Sequence, residues 1–319
     1  MQPPAQLPTT LVTGAAGFAG RYALERLAGH GRLLAWSRPG GTPGEGEGAE
    51  WQQVDITDAA RVTAAIDRTR PDRILHLAGA ASVASSWASA VPHLQTNALG
   101  TDALLEAVHR TGHPCRIVVV TSAQVYAATD GPITEDDALV PQSPYGLTKL
   151  AQDRLALMAA SADGLDVVVA RPFNHIGPRQ EPAYAIASFA RQIARIERGL
   201  DPPTIRVGNL ETHRDITDVR DVVDAYARLL EDGAKGRAYN VCSGHAWRVR
   251  DLLDRLLALS TSAIDVETDP ARLRPVDVPL VLGDGTRLAA ELDWAPRIGI
   301  DDTLRDTLDY WRERVRSDA

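Results

Sequence analysis

The sequence predicts an α/β protein: a doubly wound parallel sheet with a smaller, interleaved C-terminal lobe. Three observations predict it. Short β-rich runs alternate with Ala- and Leu-rich runs of helical spacing through residues 1–170. A glycine-rich turn follows the first of those strands and opens the first helix. After residue 170 the texture changes to Arg- and Pro-containing loops between separate helical runs.

Composition sets the outer bounds. A chain of 319 residues buries roughly three quarters of its extended-chain surface, enough for a substantial core. Lys and Arg number 34 and Asp and Glu 42, a net charge of −8 with no basic stripe, which argues against a nucleic-acid partner. No apolar run approaches the roughly 20 residues of a membrane span. The first ten residues lack the basic and apolar blocks of a signal peptide. Cys115 and Cys242 lie far apart with no ligand-like spacing, so two reduced thiols in a cytoplasmic protein are expected, with no metal.

The elements follow in order. Strands are expected at 11–13, 32–36, 73–77, 116–120 and 166–170, and helices at 19–28, 59–67, 91–109 and 145–160. This order reads as right-handed βαβ units. Residues 39–50 read as a Gly- and Glu-rich loop. Beyond them, 171–181 and 201–213 read as loops, and 184–198, 221–231, 249–259 and 303–315 as helices. A strand near 239–241 is expected to return to the first lobe. Residues 1–170 therefore form the expected dinucleotide-binding domain and 171–319 mainly the substrate lobe, with segments near 216–242 rejoining the first.

The first strand runs into Gly14-Ala15-Ala16-Gly17-Phe18-Ala19-Gly20. Gly14 permits a tight turn, Gly17 lets the backbone approach a pyrophosphate, and Gly20 allows close helix–strand packing. The helix beginning around Phe18 and Ala19 offers free N–H groups and a partial positive charge to the diphosphate. A Rossmann-type dinucleotide site is the expectation. The second strand ends in Ser37-Arg38 with no carboxylate to take a ribose 2′-hydroxyl. Arg38 suits a 2′-phosphate, or is a solvated loop residue; NADP(H) is expected over NAD(H). Asp55-Ile56 stands where an acid meets the adenine amino group, or where a helix cap is needed.

Tyr145 and Lys149 stand four apart, on one face of a helix. The lysine charge favours phenolate and is expected to lower the tyrosine pKa, so that Tyr145 exchanges a proton with a substrate oxygen near neutral pH. Ser122 follows the strand at 116–120, where the ligand crevice of an open α/β sheet lies, and is placed to bind the same oxygen.

Gly14–Gly20, His76-Leu77-Ala78-Gly79, Ser122-Ala123-Gln124-Val125-Tyr126 and Tyr145xxxLys149 together resemble the extended short-chain dehydrogenase/reductases that act on nucleotide sugars, over about residues 10–314. Within that branch, residues 171–178, 188–193, 206–215, 219–223 and 273–279 are most similar to GDP-4-keto-6-deoxy-mannose reductases, relatives of GDP-mannose 4,6-dehydratase. The resemblance implies Ser122, Tyr145 and Lys149 as catalytic residues and Leu77, Ala78, Gly79 and Asn97 as cofactor neighbours. It implies Ser82, Gln124, Asn174, Arg214 and Arg274 as contacts of a GDP-linked sugar, the two arginines clamping the diphosphate. It also implies a homodimer. Arg191, Arg195 and His175 are read instead as a solvated face and a structural histidine.

Some positions depart from the family pattern. Dehydratases carry a carboxylate just after the catalytic hydroxyl, where this chain has Ala123-Gln124. An amide cannot remove a C5 proton, which argues against 4,6-dehydration. Ala80-Ala81 replaces a common Gln-Ser, and Arg179 stands where glycine is usual. The expected activity is NADPH-dependent reduction of a C4 ketone. The alternatives are a 4-epimerase, a 4,6-dehydratase and a non-catalytic dinucleotide-binding regulator.

Overall fold

A computed structural model describes residues 7–41, 48–273 and 278–317. Among them the chain runs β1 (Thr9–Thr13), α1 (Phe18–Leu27), β2 (Arg32–Ser37), β3 (Glu50–Gln53), α2 (Ala59–Thr69), β4 (Arg73–His76), α3 (Val83–Ala88) and α4 (Val91–Leu94). A π-turn (Gln95–Leu99), α5 (Gly100–Thr111), β5 (Arg116–Val120), α6 (Pro144–Ala162) and β6 (Asp166–Pro172) complete the first half. Then come β7 (Asn174–Ile176), α7 (Ala185–Glu197), β8 (Thr204–Val207), β9 (His213–Asp218), α8 (Val219–Asp232) and β10 (Ala238–Val241). The last stretch holds β11 (Ala246–Arg248), α9 (Val249–Ala258), β12 (Asp265–Thr268), β13 (Leu280–Val281), α10 (Thr286–Leu292) and α11 (Ile300–Ser317).

Seven parallel strands form the main sheet in the order β10-β6-β5-β4-β1-β2-β3. The order reverses between β1 and β4, so a crevice opens above their carboxyl ends. Successive strand residues feed opposite faces. On β5, Val118 and Val120 join α1 and α8 through Tyr22, Leu24, Val222 and Leu229. Ile117 and Val119 join α2, α5 and α6 through Ile66, Leu104 and Ala156. Burial on both faces explains why these strands read as continuous apolar runs. A second core, with Phe189, Ile193, Leu252, Leu308 and Trp311, lies among α7, α9 and α11.

The structure corrects the expected elements in several places. The helix expected over 91–109 is interrupted by the π-turn, where the buried Asn97 amide is tied to Ala80 and Thr148. Single π-turns within α-helices occur frequently at functional sites. Residues 171–181 are not all loop: β6 continues to Pro172 beside β10, and β7 pairs with β9. Nor are 201–213 all loop, since β8 pairs with β12 and β9 begins at His213. Glu50 opens β3 instead of closing a loop. These short strands exist because distant segments pair with them, and they carry too few residues to show a period. β10 sits beside β6 as expected; α10 also returns, placing Leu288 in the α1–α8 core.

Candidate active site

The glycine turn leaves β1 with Gly14 at φ +66°, and Gly17 N–H donates to the Gly14 carbonyl at 2.9 Å. A Cβ on Gly14 would lie 2.7 Å from the Ala78 nitrogen, and one on Gly20 would lie 2.3 Å from the Gly14 carbonyl oxygen. Both positions therefore exclude any side chain. Gly17 caps α1 without a side-chain bond and the first turn holds no acid, so the N–H groups around Phe18 and Ala19 suit an anion. The Phe18 ring stacks on His175 at 5.9 Å. His175 is tied to the Phe173 carbonyl, and burial lowers its pKa, as a structural histidine requires.

Ser37 ends β2 with its hydroxyl buried and without a protein partner, and Arg38 beside it is exposed. An orphaned hydroxyl next to an exposed guanidinium fits the 2′-phosphate of NADP(H). Asp55 accepts from the backbone N–H and hydroxyl of Thr57, which hold its carboxyl below the usual range. The cap of α2 is Asp58, so Asp55 is not needed for that duty. Ile56 is buried against Gly100. Leu77 and Ala78 bond back to Thr13 and floor the glycine turn. A Cβ on Gly79 would lie 3.4 Å from the Lys149 amine.

Ser122 stands at the end of β5, where its hydroxyl accepts from the Gln124 N–H at 3.2 Å and lies close enough to the Tyr145 phenol to lower its pKa. Tyr145 sits in the first turn of α6. That turn is fixed twice over: Ser143 caps it by accepting from Gly146 N–H at 3.0 Å, and Pro144 needs no donor there. Ser86 of α3 accepts from Tyr145 N–H at 3.1 Å. A Cβ on Gly146 would come within 2.4 Å of the Gln124 carbonyl oxygen, so the Ser122 loop and α6 pack backbone to backbone.

Lys149 lies one turn further along, its amine donating to the Val120 carbonyl at 3.1 Å and to Gln152 at 2.7 Å. Burial pulls its pKa down to about 7. The expected depression of the Tyr145 pKa by Lys149 is not what this structure has. Burial pushes the phenol up, and the group that lowers it is Ser122. The reason is that the amine faces Val120 and Gln152, and carries only part of a charge at neutral pH.

The remaining expected residues fall around this centre. Asn97 is fully buried with its amide bonded to Ala80 and Thr148, so it shapes the loop beside Gly79. The Ser82 hydroxyl caps α3. Asn174 is exposed at the start of β7. Arg214 on β9 donates to the carbonyls of His213 and Val278. Arg274 lies outside the described residues. Arg195 pairs with Asp201 and Arg191 lies over the Trp311 ring. Arg179 has φ +70°, which explains why glycine is usual there. It is held over the Tyr22 ring and paired with Glu25, so it shapes the loop against α1.

Sequence reasoning missed Gln152, Thr101 and Ser86. Gln152 had a readable signal, the i, i+4, i+7 spacing that puts it on the face of Tyr145 and Lys149. Thr101 and Ser86 had none.

A hydroxyl, a phenol and an amine converging beside a dinucleotide turn define an oxidoreductase of the extended short-chain dehydrogenase/reductase class. The chain belongs to the GDP-mannose 4,6 dehydratase family, whose model matches residues 11–307. It is 40% identical over 251 residues to the GDP-6-deoxy-D-mannose reductase of Pseudomonas aeruginosa, covering 78% of this chain and 83% of that one. It is 32% identical over 327 residues to a dTDP-glucose 4,6-dehydratase of Streptomyces griseus, covering 96% and 94%. Among solved structures, RMD from Pseudomonas aeruginosa complexed with NADPH superposes with a TM-score of 0.86 at 33% identity, covering 96% of this chain and 99% of that one.

Proposed function

We propose that this protein reduces the C4 ketone of a GDP-linked 4-keto-6-deoxyhexose with NADPH, giving a GDP-6-deoxyhexose of the rhamnose type. The observation that carries the chemistry is the buried Tyr145 phenol beside the buried Ser122 hydroxyl, with the Lys149 amine one helical turn away. The GDP sugar follows from the relation to GDP-6-deoxy-D-mannose reductase, and NADPH from the NADPH-bound structure together with Ser37 and Arg38. NAD(H) is the lesser alternative.

A bound nicotinamide supplies the hydride. Tyr145, kept protonated at neutral pH by burial, donates its proton to the carbonyl oxygen as charge builds there. Ser122 donates a hydrogen bond to that oxygen, worth on the order of 3 kcal/mol for a well-aimed donor. The phenolate left behind is reprotonated from solvent. Ala123 and Gln124 offer no carboxylate to the sugar, which weighs against dehydration.

In this reading residues 1–170, completed by segments near 216–242, hold the dinucleotide, and the rest of 171–319 takes the sugar nucleotide. Arg214 is assigned to its diphosphate, as the resemblance assigns Arg274, and Ser82, Gln124 and Asn174 are assigned to its sugar side. A homodimer is supported by the exposed apolar face of α6, with Leu147 and Met158 eleven residues apart, and by Leu99 before α5. Cytoplasmic residence fits two buried, unpaired cysteines, and no described helix is long and apolar enough to cross a membrane.

The test is NADPH oxidation by purified protein with a GDP-4-keto-6-deoxyhexose, followed by NMR of the product. Oxidation dependent on the keto sugar is expected. Interconversion of sugars without added reductant would make the protein an epimerase instead.

A further inference from the structure

The Lys149 amine is held by an amide where a carboxylate would be the obvious partner. An ammonium has donors only, so Gln152 must turn Oε1 toward it, as the 2.7 Å contact requires. Nε2 of Gln152 then donates to the Thr101 hydroxyl at 2.9 Å. Thr101 gives its one proton to the Asn97 carbonyl at 2.7 Å, so it accepts from His76 Nε2 at 2.9 Å. His76 therefore carries its proton on Nε2, and Nδ1 accepts from the Thr13 hydroxyl at 2.8 Å. Thr13 in turn accepts from Ala78 N–H at 3.1 Å, under the glycine turn. Every group in the chain finds a partner of the right kind, and every one of these five side chains is 6% exposed or less.

We propose that Gln152 is a positioning residue for the reduction: locked by Thr101 and His76, its amide holds the Lys149 amine in the crevice without supplying a counter-charge. The titratable groups around the amine fit this. His76 on β4 is neutral, with burial pulling its pKa down to about 3. Asp153 on α6 is neutralised by Arg171 on β6, and Tyr145 is kept protonated by burial. Among the described residues, no carboxylate hydrogen-bonds the amine. The uncompensated amine then titrates near neutral pH. A carboxylate at 152 would lock the ammonium on.

The kinetic meaning rests on the reductase reading above, but the placement is testable without it. The chain has two lysines, Lys149 and Lys235, so lysine-labelled protein gives two side-chain NMR signals, and Lys235→Arg leaves one. The Lys149 signal is expected to titrate near neutral pH. In Gln152→Glu its midpoint should rise by about one pH unit or more. In Gln152→Met, which removes the acceptor without adding charge, it should fall, and NADPH affinity should weaken about 10-fold. An unchanged midpoint in Gln152→Met, or in a folded Gln152→Glu, overturns the proposal. Wild-type protein with the expected titration but no keto-sugar reduction would overturn the function and leave this placement standing.

Discussion

Arg171 and Asp153 form a bidentate ion pair out of reach of water, with Nε to Oδ2 at 2.8 Å and Nη2 to Oδ1 at 2.9 Å. The side chains are 4% and 0% exposed. Asp153 belongs to α6, which carries Tyr145 and Lys149, and Arg171 belongs to β6. The remaining guanidinium donor reaches the Tyr126 hydroxyl and the Glu135 carbonyl. The pair therefore fastens the catalytic helix to the sheet.

Removing one partner leaves a buried charge alone. Asp153→Ala should cost about 3–5 kcal/mol of stability, measured by urea unfolding. Asp153→Leu combined with Arg171→Met should recover much of that loss. A single variant as stable as wild type would show that the pair does not fasten α6.

Tyr145→Phe removes the proton donor and leaves the ring. Turnover should fall by about 10²–10⁴-fold while NADPH binding, followed by nicotinamide fluorescence, stays close to wild type. Near-normal turnover would take Tyr145 out of the mechanism.

Arg38 is exposed and its proposed partner is the 2′-phosphate. In Arg38→Ala, KM for NADPH should rise about 10- to 100-fold, as loss of a charge-assisted hydrogen bond implies, while KM for NADH moves little. An unchanged ratio of the two KM values would place the discrimination elsewhere.

His76 makes acid stability testable. Its folded pKa of about 3 lies below the ordinary 6.5, so between those values the unfolded chain binds the extra proton. Stability from this group is whole above about pH 6.5 and declines as pH falls toward 3, by about 1.4 kcal/mol per pH unit at most. His76→Asn should therefore lose less stability than wild type between pH 6.5 and 4.5 in urea titrations. Parallel curves would mean that the proton on His76 is not excluded by the fold.

The legible parts of this site were those with local signatures. The glycine turn follows from steric and dipolar demands within seven residues, and Tyr145 and Lys149 from one helical turn. Ser122 was readable because a strand's end in a parallel sheet faces the crevice. What was not readable depended on residues far apart. Thr101 and Gln152 are 51 positions apart, and Thr13 and His76 are 63 apart. At Arg179 the sequence shows only a residue other than glycine; its contacts with Tyr22 and Glu25, far off in the chain, place it against α1.

By itself, then, the sequence determined the layer architecture, the dinucleotide turn and the reacting groups, because helix period, strand burial and glycine sterics act over a few neighbouring residues. Only the tertiary structure decided the short strands β7 to β9, the π-turn at Asn97 and the protonation of Lys149. Those depend on which distant backbones pair and on how far each group is removed from water, and neither is written in any local stretch of chain.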